Sequence, residues 1–149
     1  MAITKSGAYG ITLEKCFIDT AGQSMEAETH KGLLVTDTYT PNYDTHDFRD
    51  DVTNEVSGTN YTAGGNTVTT TVITLAAPAA ESLKLDYDDP QWPNSTISAA
   101  MAHVFYFNVG SAATDQLVLL QDFVTAATTS AGLLLVQIHA DGALNLDYA

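Results

Sequence analysis

Apolar and polar positions alternate along much of this chain with the two-residue period of a β-strand, and rarely with the period of a helix. The clearest case is residues 66–75, where Val68 and Val72 share one face with Thr70 and Thr74. Thr69, Thr71, Ile73 and Leu75 share the other. The threonines and β-branched aliphatics here suit a pleated surface and penalise a helix. In 83–88, Leu83, Leu85 and Tyr87 alternate with Lys84, Asp86 and Asp88, which predicts an antiparallel strand with one wet face. Residues 97–107 are almost continuously apolar, as a central strand is. Further strands are predicted at 33–39 (buried at its start, exposed at its end), 52–57, 117–124, 133–138 and 143–148. Val104, Phe105, Phe107, Leu117, Leu119 and Phe123 are expected in the core.

Turn chemistry separates these runs. Residues 41–51 form a polar loop begun by Pro41 and crowded with charge. Gly58, Gly64 and Gly65 mark a glycine- and asparagine-rich reversal, with positive φ expected for at least one of them. Asp88, Asp89 and Trp92 fall in a turn with two prolines, Pro90 and Pro93. Residues 108–111 and 125–130 read as loops, and Asp141-Gly142 as a hairpin turn. Breaks are also expected at 19–23 and 76–81. The first 31 residues differ from the rest: a short helix over about 8–19, or an arm, precedes the β domain of 32–149. Short turns between about eight strands, with no internal repeat, predict a mostly β, antiparallel, jelly-roll-like sandwich.

Charge narrows the function classes. Eighteen acidic against five basic residues give a net charge of −13. No basic stripe exists to displace counterions, so no nucleic acid partner is expected, and anionic membranes are repelled as well. No apolar run is long enough to span a bilayer. The start, Met1-Ala2-Ile3-Thr4-Lys5, lacks the apolar stretch of a signal peptide, so synthesis and folding in a cytoplasm are expected. The single cysteine, Cys16, rules out an intrachain disulfide and is expected as a small buried hydrophobe.

The residues that carry chemistry elsewhere are scattered here. Asp44, His46, Asp47, Asp50 and Asp51 share one loop, and Asp86, Asp88 and Asp89 share a strand end. Either group offers oxygen ligands of the kind Ca²⁺ takes, but neither has the spacing of a known motif, and a solvated loop explains both. No metal or other cofactor is therefore expected. The histidines, at 30, 46, 103 and 139, are far apart, and no Gly-x-Ser-x-Gly elbow is present. His103 reads as a core histidine in the central strand and His139 as exposed. No enzymatic activity is expected. Trp92 reads as a ring packed over the end of the sandwich; with Tyr87 it forms the alternative, a stacking platform for carbohydrate.

One ordered set of segments is familiar. Asn54-Glu55-Val56-Ser57-Gly58-Thr59-Asn60-Tyr61-Thr62-Ala63-Gly64-Gly65 precedes a Thr/Val strand. Leu85-Asp86-Tyr87-Asp88-Asp89-Pro90-Gln91-Trp92 and Ser95-Thr96-Ile97 follow, then Asp122-Phe123, Ser130-Ala131-Gly132 and Asp141-Gly142. This order, over roughly 31–148, resembles small virion proteins of tailed bacteriophages. Asn60 stands where the familiar turn has glycine, a tolerable change because asparagine also accepts a left-handed backbone. Residues 133–138 lack the aromatic-rich end of the pattern. The resemblance implies a capsid decoration, or cement, protein located in the virion. It further implies a homo-oligomer, a trimer, seated on the major capsid protein. Connector, tail or fibre components share these properties. Ile3, Ile11, Leu13 and Phe17 are expected as the apolar side of an N-terminal docking element, with a segment covering one end of the sandwich as the other reading.

Overall fold

The computed structural model describes residues 3–18, 24–69, 71–75 and 82–147. The breaks expected at 19–23 and 76–81, and the side chains of Cys16 and Phe17, lie outside the described residues. The fold is mostly β, antiparallel and sandwich-like, with one short helix, α1 (Gly10–Ile18). Its largest sheet joins β1 (Gly7–Ala8), β9 (Leu117–Ala127), β8 (Ala100–Phe107), β2 (His30–Thr36) and β4 (Asn66–Val68) in that order. Two three-stranded sheets accompany it. One runs β10 (Gly132–Leu135), β7 (Gln91–Ile97), β3 (Gly58–Thr59). The other runs β11 (Leu144–Asp147), β6 (Ser82–Asp86), β5 (Val72–Leu75).

Register explains the core. Leu33 pairs with Val104, which pairs with Leu120, so all three face the same way. They pack with Ile3, Tyr9, Tyr39 and Met101, so the N-terminal segment and the loop after β2 cover this face. The opposite face carries Leu34, His103, Phe105 and Phe107. It packs against Trp92 and Ile97 in one small sheet, and against Leu85 in the other and Tyr87 just beyond it. Every residue of β8 is buried as a result, which is what its apolar run, interrupted only by His103, requires. His103 fits into this layer because its neighbour is Gly32: a Cβ there would lie 1.8 Å from His103 Nε2.

Several expected elements are redrawn. The run 66–75 is two strands in different sheets, since β4 pairs with β2 and β5 with β6. Between them Thr69 turns to Asp88: its carbonyl accepts from Asp88 N–H, and its hydroxyl donates to Asp88 Oδ2. Side-chain bonding of this kind competes with a continuous ladder. The run 97–107 also breaks, at Ala99, whose φ is 55°. Residues 52–57 form only an isolated bridge, Val35 to Glu55. Gly58 and Trp92 lie in strands rather than turns. Pro93 does not interrupt β7 because it sits where the β10 pairing shifts register, between Leu134–Trp92 and Gly132–Ser95. β9 extends through the first half of the loop expected at 125–130. The Asp141-Gly142 turn connects β10 and β11, which belong to different sheets, so it closes no hairpin.

At the side-chain level, Tyr39 is buried instead of exposed, its hydroxyl within 3.1 Å of that of Tyr9. Phe123 is only half-buried, whereas Val104, Phe105, Phe107, Leu117 and Leu119 are core residues. Ile3 is fully buried and Ile11 packs against the same cluster, so neither is a free docking residue; Leu13 is exposed.

Candidate interaction surface

The familiar glycine-rich segment is held by its own side chains. Glu55 Oε1 accepts hydrogen bonds from the Tyr61 hydroxyl at 2.7 Å and from Gly64 N–H at 2.6 Å. The Tyr61 oxygen in turn accepts from Leu34 N–H, and Tyr106 donates to the Gly64 carbonyl. Gly64 and Gly65 have φ of 85° and 70°. A Cβ on Gly65 would lie 1.8 Å from the Gly32 carbonyl oxygen, so only glycine lets the loop come this close to β2. The segment is thus a clamp between β2 and β8, occupied with its own chain.

The acidic residues are similarly engaged. Asp51 Oδ2 accepts from the backbone N–H of Asp47 and Phe48, and Asp86 pairs with Lys84 at 2.9 Å. Asp88 accepts from Thr69, and Asp89 Oδ1 accepts from Ile138 N–H at 2.7 Å. Among the described residues no three or more His, Cys, Asp or Glu converge in a way that would hold a metal. Asp115, which the sequence reading passed over, is buried; it pairs with Arg49 and accepts from Val109 and Gly110 N–H.

Of the rings considered for binding, Trp92 and Tyr87 are both buried and present no platform. His103 is closed off from solvent; its Nδ1 lies 3.0 Å from Gln121 Oε1, which also accepts from the Tyr87 hydroxyl. Because Gln121 Oε1 can only accept, His103 carries its proton on Nδ1, and burial lowers its pKa to about 4. His30, stacked on Phe105, is lowered to about 4 by burial as well. His139 is exposed, 3.3 Å from an Asp141 carboxylate oxygen.

The surface that stands out lies where β9 ends and β10 begins. Ala102 pairs with Asp122 but Ala100 pairs with Ala127, so Met101 faces four residues of β9, 123–126, in a wide bulge. At its centre Val124 has φ of 64° and is 71% exposed. Its N–H donates to Asp122 Oδ1, which fixes the turn locally. A β-branched residue at positive φ is a conformational outlier. Among the described residues six non-glycine residues share positive φ; three of them, Asn54, Asn60 and Asn94, belong to the type that adopts it most cheaply. The other three, Ala99, Val124 and Ala131, cluster here: Ala99 N–H donates to Thr128, and Ala131 N–H to Thr96.

Exposed apolar side chains coincide with this strain. Along β10, Leu133 is 55% and Leu135 46% exposed, while Leu134 and the following Val136 are buried. The alternation is that of a strand, but both faces are apolar. Between β10 and the bulge runs a groove of about 390 Å³, lined by Phe123, Ala127, Leu134, Leu135 and Val136, with Asp122 and His139 at its polar side. Sequence reasoning placed Phe123 and Val124 in a buried strand and missed this surface. The available signal was Leu133-Leu134-Leu135, a run with no polar alternate. No family model, curated protein or solved structure matches the chain.

Proposed function

We propose that this chain is a structural subunit of a tailed-bacteriophage particle, a capsid decoration protein that docks on the major capsid protein through the β9–β10 end of the fold. The observation that carries the docking role is the concentration of strain and exposed apolar surface at that end. Backbone strain of about 1–3 kcal/mol per outlier persists only where the surroundings enforce it, and such positions cluster at functional sites. Val124 combines that strain with hydrophobic exposure, and Leu133 and Leu135 beside it add exposed apolar surface that a free monomer has no use for. The particle setting rests on the ordered resemblance of 54–65 and the later turns to phage virion proteins. The clamp built on Glu55 supports it, since the recurring residues are those that fix the loop. A trimer would match the local three-fold positions of an icosahedral shell. The carbohydrate reading loses its support with the burial of Trp92 and Tyr87.

The test is co-sedimentation of the purified protein with capsids from the phage whose genome encodes it, alongside light scattering of the free protein. The wild type should pellet with capsids, and Leu133→Asp should stay in the supernatant while keeping the wild-type melting curve. A monomer that never pellets with any particle fraction would overturn the proposal.

A further inference from the structure

The groove beside β10 also says what kind of partner it takes. Among the described residues β10 ends its sheet, with β7 on one side and the groove along the other. A strand at a sheet edge offers unpaired backbone groups to an incoming chain. Extended segments bind such edges by adding a strand, and pockets for alternate side chains supply specificity. Here those pockets are apolar, lined by Phe123, Ala127, Leu134 and Val136. Among the described residues that line the groove Asp122 is the one carboxylate and there is no lysine or arginine; Lys84, beside Gly142, is engaged by Asp86 and the Ala140 carbonyl. The chain as a whole carries −13.

We infer that the groove accepts an extended, basic segment of another protein, with apolar side chains at alternate positions entering between β9 and β10 and lysine or arginine between them. A second copy of this chain is a poor occupant. It would bring another −13, and of its five basic residues Arg49 and Lys84 are already ion-paired. The inference takes the docking surface from the function proposed above, but its test needs no particle, so either can fail without the other.

Three acetylated, amidated peptides serve as probes. The first is Pro-Lys-Val-Lys-Leu-Lys-Val-Lys-Pro. The second replaces every lysine by glutamate, and the third keeps the lysines and replaces every apolar residue between them by serine. Binding is followed by amide shifts in two-dimensional NMR and by fluorescence anisotropy. The first peptide should bind at least tenfold more tightly than either control and shift the amides of 132–137. Leu135→Asp, at an exposed position, should weaken it at least tenfold with unchanged melting. Equal binding of the lysine–serine peptide would reduce the effect to bulk charge and overturn the inference. So would shifts elsewhere, no binding of the first peptide, or self-association of the free chain that Leu133→Asp abolishes.

Discussion

Val124 is the residue whose chemistry and conformation disagree most. A side chain branched at Cβ costs about 1–2 kcal/mol or more in the left-handed region, and this one, mostly in solvent, recovers little of that by burial. Val124→Asn should therefore stabilise the free protein by about 1 kcal/mol, raising the melting temperature by roughly 3 °C. It should weaken capsid docking at the same time. Calorimetry and co-sedimentation on one preparation read both, and a variant that gains stability while docking as before would free Val124 of a role in binding. His30 and His103 make a second residue-scale case. Both are buried neutral, with folded pKa values lowered to about 4 by desolvation, against 6.5 in the unfolded chain. Below pH 6.5 the unfolded state binds protons that the folded state refuses. Stability is therefore complete above about pH 6.5 and is lost as pH falls toward 4. Each histidine should remove about 2 kcal/mol between pH 7 and pH 5. Urea denaturation at the two pH values checks this, and equal midpoints would show that the rings are not buried neutral.

At the scale of elements, the clamp over 54–65 has one hub. Removing the Glu55 carboxylate leaves Gly64 N–H and the Tyr61 hydroxyl without their acceptor. Glu55→Ala should cost about 2–3 kcal/mol, and Glu55→Gln less, because hydrogen bonds to a charged group are the stronger kind. Denaturant midpoints of the two variants give the ranking; equal and small losses would mean the loop is held by its glycines alone. The turn was readable because Gly64 and Gly65 announce positive φ through residue type. The strand content was readable for a similar reason, in threonine, valine and alternation. Where one sheet hands over to the next was not. Thr69 and Thr71 suit a strand as well as Val68 does, and the break comes from a partner 19 residues away, Asp88. Ala99 and Val124 carry no local sign that they adopt the left-handed region. Thus the candidate surface, which depends on both breaks, was illegible although β8 was recognised as central.

At the scale of the whole molecule, the large sheet is buried on both faces, and the first residues of the described chain help to bury it. Ile3 and Tyr9 belong to the core cluster, and β1 pairs with β9. A short segment with a few scattered apolar residues shows no period, so nothing in its sequence distinguished a core cover from a docking arm. The outcome reverses the deletion experiment. Removing 2–18 should cost the cooperative fold, because it opens the Leu33–Val104–Leu120 face to water. Loss of a sharp thermal transition checks this; a truncated chain that still melts cooperatively would return the segment to the role of an arm.

The pairing of β1 with β9 also sets a clock. Ser6 Oγ accepts from the backbone N–H of Asp122, 116 residues away, and the Thr12 hydroxyl donates to the Leu117 carbonyl across 105. Contacts this remote close slowly, since loop entropy is spent before they form. On a ribosome the first strand has no partner until β9 has emerged. β2 and β4 can pair once residue 68 has emerged, but the sheet cannot close until residue 127 has, so its completion is a late step of folding rather than an early one.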